Sequence, residues 1–197
     1  MIDDLLAELA SSPWALPVLF ALVFGDAFLV VIPGEAAVTA FAALSVVHGE
    51  PPLAGVVAVA AVAAFAGDAT CYAIGRFIGL DRWRWTRRPR VLALRAWAKR
   101  RLTRSTAAIV FTARFIPFAR IAVNLTAGAE RIRAPRYLGL CALAAAAWAA
   151  YQSSIGAAIA RILPDSPVAA VLISVGVALL VGWALDLVLA RRVTPDA

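Results

Sequence analysis

The chain has 197 residues, of which 63% are hydrophobic and 16% charged, and its mean hydropathy is +0.85. Soluble domains are about 45–50% apolar and about 25% charged, so the composition excludes an ordinary soluble domain and indicates an integral membrane protein. The formal net charge is +7. Its basic residues concentrate in residues 82–104, which is too local a pattern for nucleic-acid binding and typical of a loop beside anionic headgroups.

The chain begins with an acidic stretch, "MIDDLLAELASS", which lacks the basic start of a cleavable signal peptide. We therefore expect the first membrane segment to remain in the mature protein. Residues 1–12 are predicted to form an interfacial helix.

Five apolar stretches follow: 13–47, 53–80, 105–128, 136–160 and 167–190. One bilayer crossing needs about 20 apolar helical residues. The stretches 53–80, 136–160 and 167–190 therefore predict ordinary transmembrane helices. Each of the other two contains a proline near its centre, Pro33 or Pro117, and a break at that point is expected.

Basic residues on both sides of 105–128 decide its topology. Residues 81–104 hold ten of them, and the linker 129–136 adds three. Because basic loops remain cytoplasmic, both flanks lie on the same side of the membrane. The segment 105–128 is therefore predicted to enter and return as a re-entrant hairpin, a broken backbone that membranes tolerate only inside protein or beside a wet cavity.

The segment 13–47 is interpreted as a second hairpin that enters from the outside, because the loop 48–52 has no basic residue. The alternative is that 13–47 crosses once. The two hairpins, each followed by a span, predict an all-α membrane fold of one domain with an inverted repeat and one extra C-terminal transmembrane helix. Inverted repeats with broken helices are typical of secondary transporters.

The basic region 84–102 also has an apolar face, formed by Leu94, Trp97, Ala98 and Leu102. This pattern predicts an amphipathic cytoplasmic helix lying on the membrane surface. Anchoring the protein at the interface and capturing lipid headgroups are both open as its role.

Five charged residues fall inside the apolar stretches, where each costs about 2.5–3.5 kcal/mol on insertion scales. They are Asp26, Glu35, Asp68, Arg114 and Arg120. One interpretation is purely structural, with ion pairs fastening the hairpins together. The other is that Arg114 and Arg120, with Asn124 nearby, bind an anion such as phosphate, which matches the planar guanidinium group. Asp26, Glu35 and Asp68 are then candidates to carry a proton.

Three stretches resemble the DedA family, which is related to the SNARE-associated Golgi (VTT-type) membrane proteins: "IPGE" at 32–35, "GDATCYAIGRFIG" at 67–79 and "FTARFIPFARIAVNLTAG" at 111–128. The resemblance covers about 25–160. It implies a double re-entrant fold in the inner membrane of a bacterium and proton-dependent transport of a lipid-linked phosphate such as undecaprenyl phosphate. It also implies roles for particular residues. Arg114 and Arg120 match the essential arginines and Glu35 and Asp26 the acidic positions, while Pro33, Gly34, Gly67, Asp68, Tyr72, Gly75, Arg76, Pro117 and Gly128 belong to the matching motifs.

Enzyme chemistry has little support in the sequence. The single histidine, His48, falls in a predicted outer loop, and Cys71 and Cys141 are read as buried apolar residues, so no metal set or cofactor is expected. The hydroxyls of Ser153 and Ser154 lack a neighbouring histidine base. The alternatives to lipid transport are a proton-coupled antiporter of small ions or drugs and a passive phospholipid scramblase.

Overall fold

The protein is described here from a computed structural model. The residues that the structure describes are 2–28, 34–78, 89–114, 117–162 and isolated positions between 169 and 180, and most of them are helical. No strand occurs among them, which confirms the predicted all-α class. The helices within these ranges are, in chain order, α1 (Ile2–Ser11), α2 (Ala15–Asp26), α3 (Gly34–His48), α4 (Leu53–Phe77), α5 (Pro89–Arg104), α6 (Thr106–Ala113), α7 (Pro117–Ala129) and α8 (Ala134–Ile162).

Two of these helices are long and apolar enough to cross a membrane. α4 has 25 residues and α8 has 29. At about 1.5 Å per residue, each exceeds the bilayer core of about 30 Å. They coincide with two of the predicted spans, 53–80 and 136–160. The third predicted span, 167–190, lies almost entirely outside the described residues.

The segment 105–128 consists of two helices. Ser105 caps α6, since its hydroxyl accepts a hydrogen bond from the amide of Ala108 at 3.4 Å. α6 ends at Ala113, and α7 begins at Pro117. Proline suits the first position of a helix, where its missing N–H leaves no intrahelical bond unmade. The helix therefore breaks before Pro117, and α6 and α7 pack against each other.

The helices divide into two compact units, of which the first comprises Met1–Ala64 and Ala145–Ala197. In this unit α2 packs against α3, and α1 contacts both. The segment 13–47 thus contains two helices, although Pro33 lies outside the described part of the chain. α3 also meets α8 closely, because a Cβ atom on Gly156 would overlap the backbone oxygen of Thr39.

The second unit is Phe65–Ala144, which contains the second half of α4, all of α5 to α7 and the start of α8. Its core includes Ala98 and Leu102 of α5, which are 0% and 5% exposed because α5 packs against α7. At these two residues the predicted apolar face of α5 is therefore covered by protein rather than open to lipid. The basic side chains Lys99 and Arg100 are exposed.

Candidate functional site

Two glycines bring α4 and α7 into backbone contact. A Cβ atom on Gly75 would overlap the backbone oxygen of Leu125, and one on Gly128 would overlap the backbone oxygen of Tyr72. Only glycine allows so close an approach. Asp68 lies two helical turns before Gly75, and Asn124 lies one turn before Gly128, so the contact helps to align these two polar residues.

The centre of the site is the carboxylate of Asp68, which is only 2% exposed. Its Oδ2 atom accepts a hydrogen bond from Nη1 of Arg114 at 2.7 Å, and its Oδ1 atom accepts one from Nδ2 of Asn124 at 2.8 Å. Nε of Arg120 lies 3.8 Å from Oδ1, which is an ion-pair distance rather than a hydrogen bond. Three side chains, one from the end of α6 and two from α7, therefore converge on one buried carboxylate of α4.

The break between α6 and α7 is what brings the two arginines together. Arg114 caps the C-terminus of α6, and Arg120 lies in the first turn of α7. In one straight helix, six residues would separate them by about 600° of rotation. Their side chains are buried, with 3% and 10% exposed for Arg114 and Arg120.

A second set of contacts orients Asn124. The hydroxyl of Tyr137 donates to Oδ1 of Asn124 at 2.6 Å, and the thiol of Cys141 lies 3.9 Å from the same oxygen. Because an ionised carboxylate only accepts hydrogen bonds, the amide nitrogen of Asn124 must face Asp68. Tyr137 is fully buried and therefore fixes this orientation.

Tyr72 ties the site to the turn after α7. Its ring stacks on that of Tyr137 with 5.3 Å between centroids. Its hydroxyl donates to the backbone oxygen of Ile132 at 2.5 Å and accepts from Nη1 of Arg76 at 3.0 Å. Two residues after the end of α7, Arg131 has the left-handed conformation, at φ 53°, and the amide of Ile132 donates to the backbone oxygen of Ala127 at 3.1 Å. The hydroxyl of Tyr72 thus joins α4 to the turn that follows α7.

The structure brings together four of the residues predicted from sequence: Asp68, Arg114, Arg120 and Asn124. Gly67 is buried beside Asp68. Sequence reasoning missed Tyr137, which sits near the start of a predicted span. Tyrosine is common at membrane interfaces, so its position gave no sign of a buried partner.

The remaining predicted acidic residues lie in the first unit. The carboxyl group of Asp26 lies against Gly34, the first residue of α3, since a Cβ atom there would be 3.0 Å from its Cγ atom and 3.1 Å from Oδ2. A helix N-terminus favours a negative group at such a position. Glu35 is half-buried in the first turn of the same helix.

The guanidinium groups of the second-unit site belong to a type of side chain that can bind anions. Among the described residues, the guanidinium groups of Arg114 and Arg120 both face the buried carboxylate of Asp68. Cys71 and Cys141 are both buried thiols. Within the described ranges, no three side chains of the metal-ligating types cluster together.

Comparison with protein families identifies one match, in which the model of the VTT domain covers residues 32–158. This is more than half of the chain, and it includes the whole Asp68 site and Glu35, while Asp26 precedes it. No curated protein and no solved structure matches the chain.

Proposed function

Since the chain belongs to the VTT-domain family, that of the DedA and SNARE-associated Golgi proteins, we propose that it is a membrane transporter for a lipid-linked phosphate. The family is generally one of membrane transport rather than of enzymes. The substrate of this proposal is an anionic lipid such as undecaprenyl phosphate, and the site of action is the inner membrane of a bacterium.

The observation that carries the proposal is the pair of buried arginines at a helix break. Each charge costs about 2.5–3.5 kcal/mol to insert, and a buried ion pair rarely stabilises a protein more than apolar residues of the same size. Stability alone therefore gives little reason for Arg114 and Arg120. Guanidinium groups bind phosphate oxygens through paired, charge-assisted hydrogen bonds. Phosphate binding would therefore explain why arginines occupy these two buried positions.

We propose that the fold is an inverted repeat of two re-entrant hairpins, α2–α3 and α6–α7, in a multi-pass protein. The composition of the two units supports this. Each contains three shorter helices, the last two of which form the hairpin pair, together with one end of α4 and one end of α8. Broken helices in such repeats are where secondary transporters bind their substrates.

Coupling to protons is assigned to the acidic residues Asp26, Glu35 and Asp68. A carboxyl group that alternately pairs with a cation and binds a proton can link proton movement to a cycle of anion binding. The direct contact between Oδ2 of Asp68 and Nη1 of Arg114, at 2.7 Å, supports Asp68 as a residue that carries the proton.

The test is translocation of farnesyl phosphate, a short polyprenyl phosphate, in reconstituted vesicles, measured by its accessibility to a phosphatase added outside. Arg114→Gln removes the charged fork, and we expect translocation to slow by roughly tenfold or more, since hydrogen bonds to charged groups contribute about 1.5–3 kcal/mol. Arg161→Gln is the control, because Arg161 is exposed in the last turn of α8. Equal rates in wild type and Arg114→Gln would reject the phosphate site.

The same vesicles separate the alternatives when a pH gradient is applied and Glu35→Gln is added. Acceleration by the gradient that is lost in Glu35→Gln supports proton coupling. A translocation rate that changes neither with the pH gradient nor in Glu35→Gln indicates a scramblase. Ion movement that depends on the carboxylate but not on Arg114 indicates a cation antiporter.

A further inference from the structure

The position where a phosphate would meet Arg114 is filled by the chain itself. Asp68 presents Oδ2 to Arg114 at 2.7 Å and lies 3.8 Å from Arg120 through Oδ1. A carboxylate and a phosphate offer the same chemistry to a guanidinium group, namely anionic oxygens that accept its hydrogen bonds. The two anions therefore compete for one place.

We infer that Asp68 is an internal ligand of the anion site, which a phosphate monoester displaces from Arg114 and which takes up a proton when it is displaced. This inference rests on the proposed function. It adds that the site is closed in the structure and that substrate opens it by exchange.

The hydrogen bonds of Asp68 make such an exchange feasible. Its two oxygens bond to different helices, Oδ2 to Arg114 and Oδ1 to Asn124. A carboxyl group released by Arg114 thus keeps its contact with Asn124, which Tyr137 holds in orientation at 2.6 Å. The displaced group remains partly satisfied, as a buried polar group must be.

The charges explain the proton. Among the described residues, the negative charge of Asp68 faces Arg114 and Arg120. A phosphate dianion that takes its place at Arg114 would lie beside the displaced carboxylate, and one proton from bulk water on Asp68 removes the repulsion between the two anions. When phosphate leaves, Asp68 returns the proton and pairs with Arg114 again.

The other titratable groups near Asp68 cannot take this role at neutral pH. In the part of the chain that the structure describes, Cys71 on α4 and Tyr137 and Cys141 on α8 interact with it electrostatically. Cysteine and tyrosine are largely neutral at pH 7 at their ordinary pKa values, so they have no negative charge to discharge. The facing groups on α6 and α7 are the two arginines, which remain charged.

The first experiment measures binding of farnesyl phosphate and of inorganic phosphate to the purified protein by titration calorimetry. Asp68→Asn removes the competing charge but keeps an oxygen for Asn124, and we expect phosphate to bind roughly tenfold or more tightly than in wild type. Glu130→Gln is the matched control, since Glu130 is a carboxylate on the surface that pairs with Lys99. Affinity in Asp68→Asn equal to or below that of wild type would overturn the inference.

The two ligands distinguish the source of the phosphate. Tight binding of farnesyl phosphate alone indicates a lipid substrate, and equal binding of both indicates that the headgroup suffices. Arg114→Gln separates the anion site itself from the competition by Asp68 within that site. Unchanged binding in Arg114→Gln rejects the anion site itself, while lost binding there without a gain in Asp68→Asn rejects only the internal competition.

The second experiment is carried out on the wild-type protein, so its main result does not depend on whether a variant folds. Infrared difference spectra of wild type with and without farnesyl phosphate should show a new protonated carboxyl band as Asp68 is released. Where Asp68→Asn folds, the band should be missing from its spectrum. Binding to wild type without any such band would refute the exchange.

Discussion

The close approach of α4 and α7 at Gly75 and Gly128 gives the sharpest prediction about the fold. Gly128→Ala places a methyl group where the backbone oxygen of Tyr72 lies and 2.8 Å from the backbone nitrogen of Arg76. These atoms belong to a helix and cannot rotate away, so α7 must move from α4. Overpacking of this kind costs about 1–3 kcal/mol, from which the better helix propensity of alanine recovers about 1 kcal/mol at most.

Gly139→Ala is the matched control, because a Cβ atom there meets nothing within 4 Å. It lies in α8, in the same unit, and it gains only the helix propensity of alanine, about 0.5–1 kcal/mol. The assay is thermal unfolding in detergent, followed by tryptophan fluorescence. We expect Gly128→Ala to lower the Tm by several degrees and Gly139→Ala to raise it slightly, at about 2–4 °C per kcal/mol. Equal shifts in the same direction would refute the close approach of α4 and α7.

Three further predictions follow from individual contacts. Tyr137→Phe removes the hydroxyl that fixes Asn124 and should lower the stability by about 1 kcal/mol in thermal unfolding, while the control Tyr151→Phe, on an exposed tyrosine, should have little effect. Arg114→Lys keeps the charge but loses the planar fork, so translocation of farnesyl phosphate should slow by about tenfold, and a rate equal to that of wild type would contradict bidentate binding. Lys99→Ala breaks an exposed ion pair with Glu130 and should change the stability by no more than about 1 kcal/mol, so a larger fall in Tm would contradict its peripheral role.

Much of the helical organisation was predictable because it depends on local patterns. The basic residues on both sides of 105–128 indicated that this segment is not one ordinary span, and α6 and α7 are indeed separate helices. The prediction placed the break around Pro117, whereas proline starts α7. Apolar length alone was enough to predict α4 and α8.

The partner of the arginines could not be chosen from the sequence. Asp26, Glu35 and Asp68 were all candidates, because each is a carboxylate inside an apolar stretch. Asp68 is 46 residues from Arg114, and a contact at that separation depends on how α4 packs against the broken hairpin. The glycines that permit this packing were visible only as members of a motif. Periodicity likewise predicted the apolar face of α5 but not that α7 covers it, because amphipathic patterns do not distinguish lipid from a neighbouring helix.

The central claim is that Arg114 and Arg120 hold a phosphate in a buried site from which Asp68 has withdrawn. The most direct measurement is an experimental structure of the protein in lipid with farnesyl phosphate bound. It should show phosphate oxygens within hydrogen-bond distance of both guanidinium groups and Oδ2 of Asp68 moved away from Arg114. A phosphate on the exposed basic side of α5, with the 2.7 Å contact between Arg114 and Asp68 unchanged, would contradict it.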